Sequence, residues 1–359
     1  MPTPARIAFV LPSFAAGGAQ RVLITLAASL DRLRFEPFLL VFEDSGPWRA
    51  LVPADIRVVA LGRANLRTAL LQLVLALRRE RPVVVVSTLA YVNGALLLAK
   101  SCLDPQTRIV VREANTPRRH SVSMLGRLAY DFSYRVLYRR ADRIICPAEY
   151  LVDQLECDYG IDRNRMVVLS NPVDEAVLRI AAVPTSRRSG SGVRFVAVGR
   201  LGEQKGYDRL LDDISKLPAD AHVTIFGEGE CRAKLEQQAT RLDLTSRLTL
   251  AGFNPQPAPW IAGADALLLP SRWEGMPNVA LEALACGCPV ISTPEAGGIA
   301  EIEAQALPGA VTLARSGAEF VAAMRNVRPR TDTALRPSLL PDRYRLEHAA
   351  AGFAAILAA

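Results

Sequence analysis

Short unbroken runs of apolar residues recur along this chain, each bounded by glycine, proline or a polar loop. Between them lie longer stretches in which apolar residues return every three or four positions. The first pattern predicts buried β-strands and the second predicts amphipathic helices. In the first half, strands are expected at residues 7–11, 38–42, 58–60, 83–86, 109–111 and 143–146, with a helix over 22–30 and others between several strands. In the second half, the runs at 194–198, 223–226, 248–250, 266–269 and 289–292 read the same way. Strands that alternate with helices imply a parallel sheet covered on both faces, so the fold class is α/β and doubly wound. Ligands of such sheets sit beyond the carboxyl ends of the strands, and the loops there are where a site is sought.

Residues 181–192, AAVPTSRRSGSG, break the pattern with small, polar, Pro- and Gly-containing sequence, the composition of an interdomain connection. The expected organisation is a first domain over 1–180, a linker over 181–192, a second domain over 193–340 and a terminal helix over 341–359. That helix has Tyr344, Leu346, Phe353 and Leu357 at helical spacing. A length of 359 residues is enough for two cores. The stretch 82–99 is uncharged and long enough to raise a membrane span, but Ser87, Thr88, Asn93 and Gly94 interrupt it. A valine strand, a polar loop and a helix fit it better.

Composition narrows the class. With 50% hydrophobic and 22% charged residues the chain is no candidate for disorder. A net charge of +7 favours an anionic partner; a nucleoside diphosphate, a phospholipid surface and nucleic acid all qualify. The six cysteines have no framework spacing and the three histidines are far apart, so a structural zinc site is not expected and free thiols in a reducing compartment are. Arg6 precedes the first apolar strand without a secretory leader, and the expected location is cytoplasmic.

Candidate chemistry concentrates at 270–292, PSRWEGMPNVALEALACGCPVIS. It reads as a loop after a strand, a helix that starts near Pro277 and ends at Gly287, and a second strand. Glu274 lies in the loop and Glu282 inside the helix, with seven residues between them. The helix N-terminus beside Gly275 offers backbone N–H groups to an anion, and carboxylates accept hydrogen bonds from sugar hydroxyls, a combination suited to a sugar carried on a phosphate. The same spacing also fits a solvated helix residue and a loop charge. Gly17 and Gly18 open a strand-to-helix turn, where backbone amides can approach a phosphate or carboxylate closely, or where packing alone requires a tight turn. Arg200 and Lys205, in the turn GRLGEQKG, are candidates for anionic oxygens; the turn is not a Walker loop. GEGECR at 227–232 lacks the third glycine of a dinucleotide fingerprint. In 118–140, Leu125, Leu128, Ala129, Phe132, Val136 and Leu137 recur at helical spacing among Arg127, Arg135, Arg139 and Arg140. Such a helix lies either on an anionic membrane surface or against a core with its basic face in water.

The wording EGMPNVALEALACGCPVI resembles the Glu-x7-Glu signature of the retaining glycosyltransferases of the GT-B fold, family 4, also called glycosyl transferases group 1. GGAQR at 17–21, GRLGEQKGYDRLL at 199–211 and FGEGECRAKLE at 226–236 agree with it in order and spacing. The resemblance implies two Rossmann-like doubly wound domains facing across a cleft, the first for the acceptor and the second for a nucleotide-sugar, with the terminal helix crossing back to the first. It implies transfer of a hexosyl or N-acetylhexosaminyl group from a nucleotide-diphosphate sugar, UDP-sugar favoured, with retention of configuration. Arg200, Lys205 and Glu274 are then catalytic. Gly17, Gly18, Gly227, Phe253, Gly275, Met276 and Glu282 are donor contacts, with Glu282 on the ribose. Glu113 and Asn115, in the loop after a strand, are sugar or acceptor contacts, although no histidine follows that strand here. No metal is required. The basic segment and cytoplasmic character together suggest a polyprenyl-diphosphate-linked saccharide acceptor and a peripheral position on the cytoplasmic face. A sugar-nucleotide epimerase of the same fold would need acid and base residues that are not recognisable. A noncatalytic nucleotide- or nucleic-acid-binding protein would use the charge but leave the motif carboxylates idle.

Overall fold

The structure, a computed structural model, describes residues 3–62, 66–117, 124–183, 192–331 and 334–359. Residues 184–191 of the expected linker and 118–123 of the basic segment lie outside the described residues. The chain forms two compact units, Met1–Pro172 with Leu346–Ala359, and Val173–Arg345.

The first unit is built on seven strands: β1 (Ala5–Leu11), β2 (Phe35–Val41), β3 (Arg57–Ala60), β4 (Val84–Thr88), β5 (Arg108–Arg112), β6 (Arg143–Cys146) and β7 (Met166–Val168). They form one sheet in the order β3-β2-β1-β4-β5-β6-β7, with every pair parallel. Residues of β1 and β4 are apolar almost without interruption because helices cover both faces of a parallel sheet. Their alternation still decides which face each side chain enters. Ala8, Val10, Val85 and Ile109 pack under helices Leu66–Glu80 and Ala90–Ala99 and the tyrosines near 134–138. Ile7, Phe9, Val84 and Val86 pack under helices Gly18–Ala28 and Leu346–Ala358. The terminal helix is fixed to this unit by Phe353 against Phe9, 6.0 Å between ring centroids, and by Arg108 donating to the Leu357 carbonyl. The uncharged stretch 82–99 supplies β4 and helix Ala90–Ala99, and among the described residues no helix is long and apolar enough to cross a membrane.

The second unit carries β8 (Arg194–Val198), β9 (His222–Phe226), β10 (Leu248–Gly252), β11 (Ala266–Leu269), β12 (Val290–Ser292) and β13 (Val311–Leu313). All six are parallel, in the order β10-β9-β8-β11-β12-β13. Both sheets therefore have the doubly wound order, in which winding reverses between β1 and β4 and again between β8 and β11. The crevice at such a switch point, beyond the carboxyl ends of the two strands, is where these sheets bind ligands.

The basic segment differs from its apolar pattern. It forms helix Met124–Phe132, a π-turn over Ser133–Leu137 and a 3-10 turn over Tyr138–Arg140. Leu128, Phe132 and Val136 are exposed, whereas Tyr134 and Tyr138 are fully buried. Tyrosines four residues apart win the inward face because each supplies an apolar ring and a hydroxyl that finds a buried acceptor.

Candidate active site

In the second unit the two loops at the switch point come together. β8 ends at Val198, and the chain turns through Gly199 and a 3-10 turn, Glu203–Lys205, into helix Tyr207–Ile214. β11 ends at Leu269, and the loop from Pro270 leads into helix Asn278–Ala285, with Pro277 at its N-cap and Gly287 beyond its end at φ +71°. Between them Lys205 Nζ lies 2.5 Å from Glu274 Oε1, with both side chains largely buried. Ser271 Oγ donates to the same oxygen at 2.8 Å, and Gln204 Nε2 donates to Oε2 at 3.2 Å and to the Trp273 carbonyl at 2.9 Å. The Glu274 carboxylate is thereby fixed in orientation by donors from both loops.

The backbone makes this approach possible. Gly206 has φ +66°, and a Cβ on it would stand 2.2 Å from the Pro270 carbonyl oxygen. Gly206→Ala is therefore expected to cost about 1–3 kcal/mol through the left-handed backbone and the clash together. Urea denaturation checks this; an unchanged midpoint would mean that the two loops are free to separate. Arg272 strengthens the junction, donating to both oxygens of Asp208 at 2.7 and 2.5 Å and to the Glu203 carbonyl at 2.9 Å.

Around this pair the expected donor residues fall at neighbouring strand ends. Gly227 follows β9 with φ +152°, and its missing Cβ lets it lie on the Gly199 carbonyl, 1.9 Å from where that Cβ would be. Phe253 follows β10 and is exposed. Gly275 offers its carbonyl to Gly298 N–H at 2.8 Å, and Met276 is buried. Glu282 is 7% exposed on helix Asn278–Ala285. Arg200 is exposed on the β8 loop. Sequence reasoning passed over Ser271, Gln204 and Tyr207, all inside the quoted motifs. Tyr207 is buried, and burial followed by the Glu274 charge pushes its phenol well above the ordinary range.

The first unit presents its own switch-point loops. Gly17 is the N-cap of helix Gly18–Ala28, its carbonyl accepts from Trp48 Nε1 at 3.1 Å, and the Arg21 guanidinium lies 5.5 Å from the Trp48 ring centroid. Burial lowers the Arg21 guanidinium to about 10. After β5, Glu113 is buried at 2% exposure. Its Oε2 accepts from Tyr134 at 2.8 Å, and its Oε1 accepts from Tyr138 and, at 3.4 Å, from Asn93. Asn93 also donates to the Arg112 carbonyl and accepts from Ser87 Oγ. Burial, the largest influence, raises the Glu113 carboxyl above its ordinary value, and the three donors oppose it. The Glu113 oxygens are thus engaged below the surface by side chains from three other elements of the first unit. Asn115, two residues on, is half-buried, and its Oδ1 accepts from Thr116 N–H at 2.9 Å.

Among the described residues no three His, Cys, Asp or Glu side chains are grouped to hold a metal ion, and the six cysteines are free.

Two family models divide this chain between them. The model described as Glycosyltransferase Family 4 matches residues 16–177, and that described as Glycosyl transferases group 1 matches 192–328. The chain belongs to the family 4 glycosyltransferases. A relative from Campylobacter jejuni, named N-acetylgalactosamine-N,N'-diacetylbacillosaminyl-diphospho-undecaprenol 4-alpha-N-acetylgalactosaminyltransferase, is 25% identical over 83% of each chain. The lipopolysaccharide core biosynthesis glycosyltransferase LpsE of Rhizobium meliloti is 27% identical over 78% of this chain and 77% of its own. Among solved structures, Anabaena HepE in complex with UDP and glucose superposes with a TM-score of 0.77, covering 99% of each chain at 19% identity. This glycosyltransferase therefore has the GT-B fold.

Proposed function

We propose that this glycosyltransferase moves a sugar from a UDP-sugar to a hydroxyl of a saccharide carried on polyprenyl diphosphate, with retention of configuration, in the assembly of a surface polysaccharide or glycoprotein. The observation that carries the proposal is the Lys205–Glu274 pair, built from the two loops at the switch point of the second sheet. In the transfer the bond from the anomeric carbon to the diphosphate breaks as the bond to the acceptor hydroxyl oxygen forms, the hydroxyl proton leaves with the diphosphate, and negative charge grows on the leaving oxygens. Lys205 and Arg200 stabilise that charge, which is the largest single contribution available to an acyl- or glycosyl-type site of this kind. Glu274, fixed by Ser271 and Gln204, accepts from hydroxyls of the donor sugar, with the backbone of Gly275 and Met276 alongside. Glu282 accepts from the ribose hydroxyls, while Gly227 and Phe253 flank the nucleotide. In the first unit Gly17 and Gly18 offer backbone amides to an anionic group at their own strand-to-helix turn, and Asn115 offers an amide to the acceptor.

The HepE complex supports UDP as the nucleotide, and the activities for which the C. jejuni and R. meliloti relatives are named support a lipid-linked or lipopolysaccharide acceptor. On this proposal the cationic side chains, without a metal ion, carry the diphosphate charge, so turnover is expected to survive EDTA. The enzyme would work on the cytoplasmic face, where nucleotide-sugars are made.

The test is thermal unfolding of the wild type and of Glu282→Ala with UDP, GDP or ADP. At about a hundred times its dissociation constant a nucleotide stabilises the fold by about 2.7 kcal/mol. UDP is expected to raise the wild-type Tm and to raise that of Glu282→Ala far less at equal concentration. A preference for GDP or ADP would replace the donor, and no shift with any of the three would remove the proposal.

A further inference from the structure

Helices Leu66–Glu80 and Ala90–Ala99 and the segment 124–140 form one layer over a single face of the first sheet. The first packs on the second, the second packs on the π-turn Ser133–Leu137, and all three contribute to the same core. On each of them the side away from the core carries exposed apolar side chains. Leu71 and Leu75 are exposed on the first helix, and Tyr91 and Leu98 on the second. Leu128, Phe132 and Val136 are exposed on the third segment. Exposure runs from 46% at Val136 to 66% at Leu71, and these seven sit on three neighbouring elements instead of being scattered singly over the surface. Grouped exposure of this kind, rimmed by polar residues, marks an interaction surface.

The rim identifies the partner. Arg78 and Arg79 end the first helix, and Arg127, Arg135 and Arg139 flank the apolar residues of the third; all five are exposed. Asp131 is the one acidic residue within Met124–Phe132, and Glu80, at the end of the first helix, already pairs with Arg6 and Arg57. A protein partner matched to this face would have to supply both a long apolar strip and a surrounding ring of carboxylates. A bilayer with anionic headgroups supplies both everywhere on its surface.

The orientation of the third segment is fixed from inside. Tyr134 and Tyr138 turn inward to donate to Glu113, and Asn93 ties the same carboxylate to the second helix. With the phenols held there, residues 128, 132 and 136 have no route to the core. The π-turn adds a residue to the helical repeat, so that side chains four apart stay on one line.

We infer that this three-helix face docks the enzyme on an anionic membrane surface, with Leu128, Phe132 and Val136 entering the headgroup–acyl boundary and the arginines among the headgroups. The inference deepens the proposed function, because it states where an acceptor carried on a lipid would be met. Its test does not depend on turnover.

The test is flotation of the purified full chain with vesicles of phosphatidylcholine, with or without phosphatidylglycerol. The wild type is expected to float with the anionic vesicles and to be released by salt. Leu128→Ser/Phe132→Ser/Val136→Ser should weaken binding at least tenfold, and Arg127→Gln/Arg139→Gln should weaken it about tenfold on anionic vesicles only. Because the replaced side chains are exposed, both variants should keep the wild-type Tm, and the UDP-dependent rise in Tm should persist in each. Wild-type protein that ignores anionic vesicles, or variants that float as well as wild type, would overturn the inference. So would a wild-type dimer in solution that the apolar variant converts to monomer, since a second copy would then cover the face. Vesicle binding that follows the expected pattern in a protein that no nucleotide stabilises would leave the membrane face standing and remove the donor assignment alone.

Discussion

Lys205→Ala is expected to lower kcat/KM by about 100- to 1,000-fold, the usual cost of removing one preorganised donor from developing transition-state charge. The expectation rests on where the ammonium is held. Lys205 reaches Glu274 at 2.5 Å, and its stem lies over Gly199, where a Cβ would stand 2.7 Å from Lys205 Cε. The charge is thus placed between the Glu274 carboxylate and the β8 turn that carries Arg200. In the variant, Ser271 and Gln204 still donate to Glu274, so the loss of stability should be on the order of 1–3 kcal/mol. Single-turnover kinetics with saturating donor separates the two effects, because a folding defect lowers the active fraction and leaves the rate constant of the remaining enzyme unchanged. A rate constant within about threefold of wild type would place the leaving-group charge on another residue. Glu282→Ala provides the contrast, since the ribose contact proposed for Glu282 would act on donor affinity more than on the chemical step.

The largest effect on stability is expected at Glu113. Replacing it with alanine leaves the hydroxyls of Tyr134 and Tyr138 without their acceptor, and removes the Glu113 charge that favours the charged form of the fully buried Arg112, which also donates to Asn171. Removing one partner from such a network costs about 3–5 kcal/mol, read as a shift in the urea midpoint at constant slope. A loss below about 1 kcal/mol would show that water replaces the carboxylate. Glu113→Gln should cost less, because its amide oxygen still accepts. The two proteins should also differ with pH. Burial raises the folded-state carboxyl above its ordinary value. This group's contribution to stability is therefore fully present below the unfolded value, about 4.3, and is lost as pH rises through the folded one. Wild type should lose stability relative to Glu113→Gln in that direction, and the opposite trend would mean that the donors outweigh burial.

Much of this molecule is legible in its sequence, for local reasons. A parallel strand covered on both faces must be apolar along its length, so β1, β4, β8 and β11 stand out as short unbroken runs. Glycines at 206 and 227 are demanded by the backbone itself, through positive φ and close approach to a neighbouring carbonyl. The Glu274 and Glu282 spacing is carried by one loop and the helix it opens, so it too is written in consecutive residues. Strands β7 and β13 left no such signal, because three residues at the edge of a sheet, with only the first of each strand buried, need no distinctive run.

Only the tertiary structure decided the rest. Apolar spacing along 118–140 cannot say which of two faces enters a core when leucines and tyrosines recur at the same interval. A buried acceptor from β5 chose the tyrosines and left Leu128, Phe132 and Val136 outside. Glu113 follows a strand end, where sequence expects a ligand contact, yet its hydrogen bonds come from residues 20 to 25 positions away. Lys205 and Glu274 are separated by 69 positions. Their residue types mark each as a candidate, but adjacent strands at the switch point are what turn two loop charges into one site. Local propensity and periodicity act over a few residues, while a pairing across a sheet is fixed by strand order, which no single segment contains.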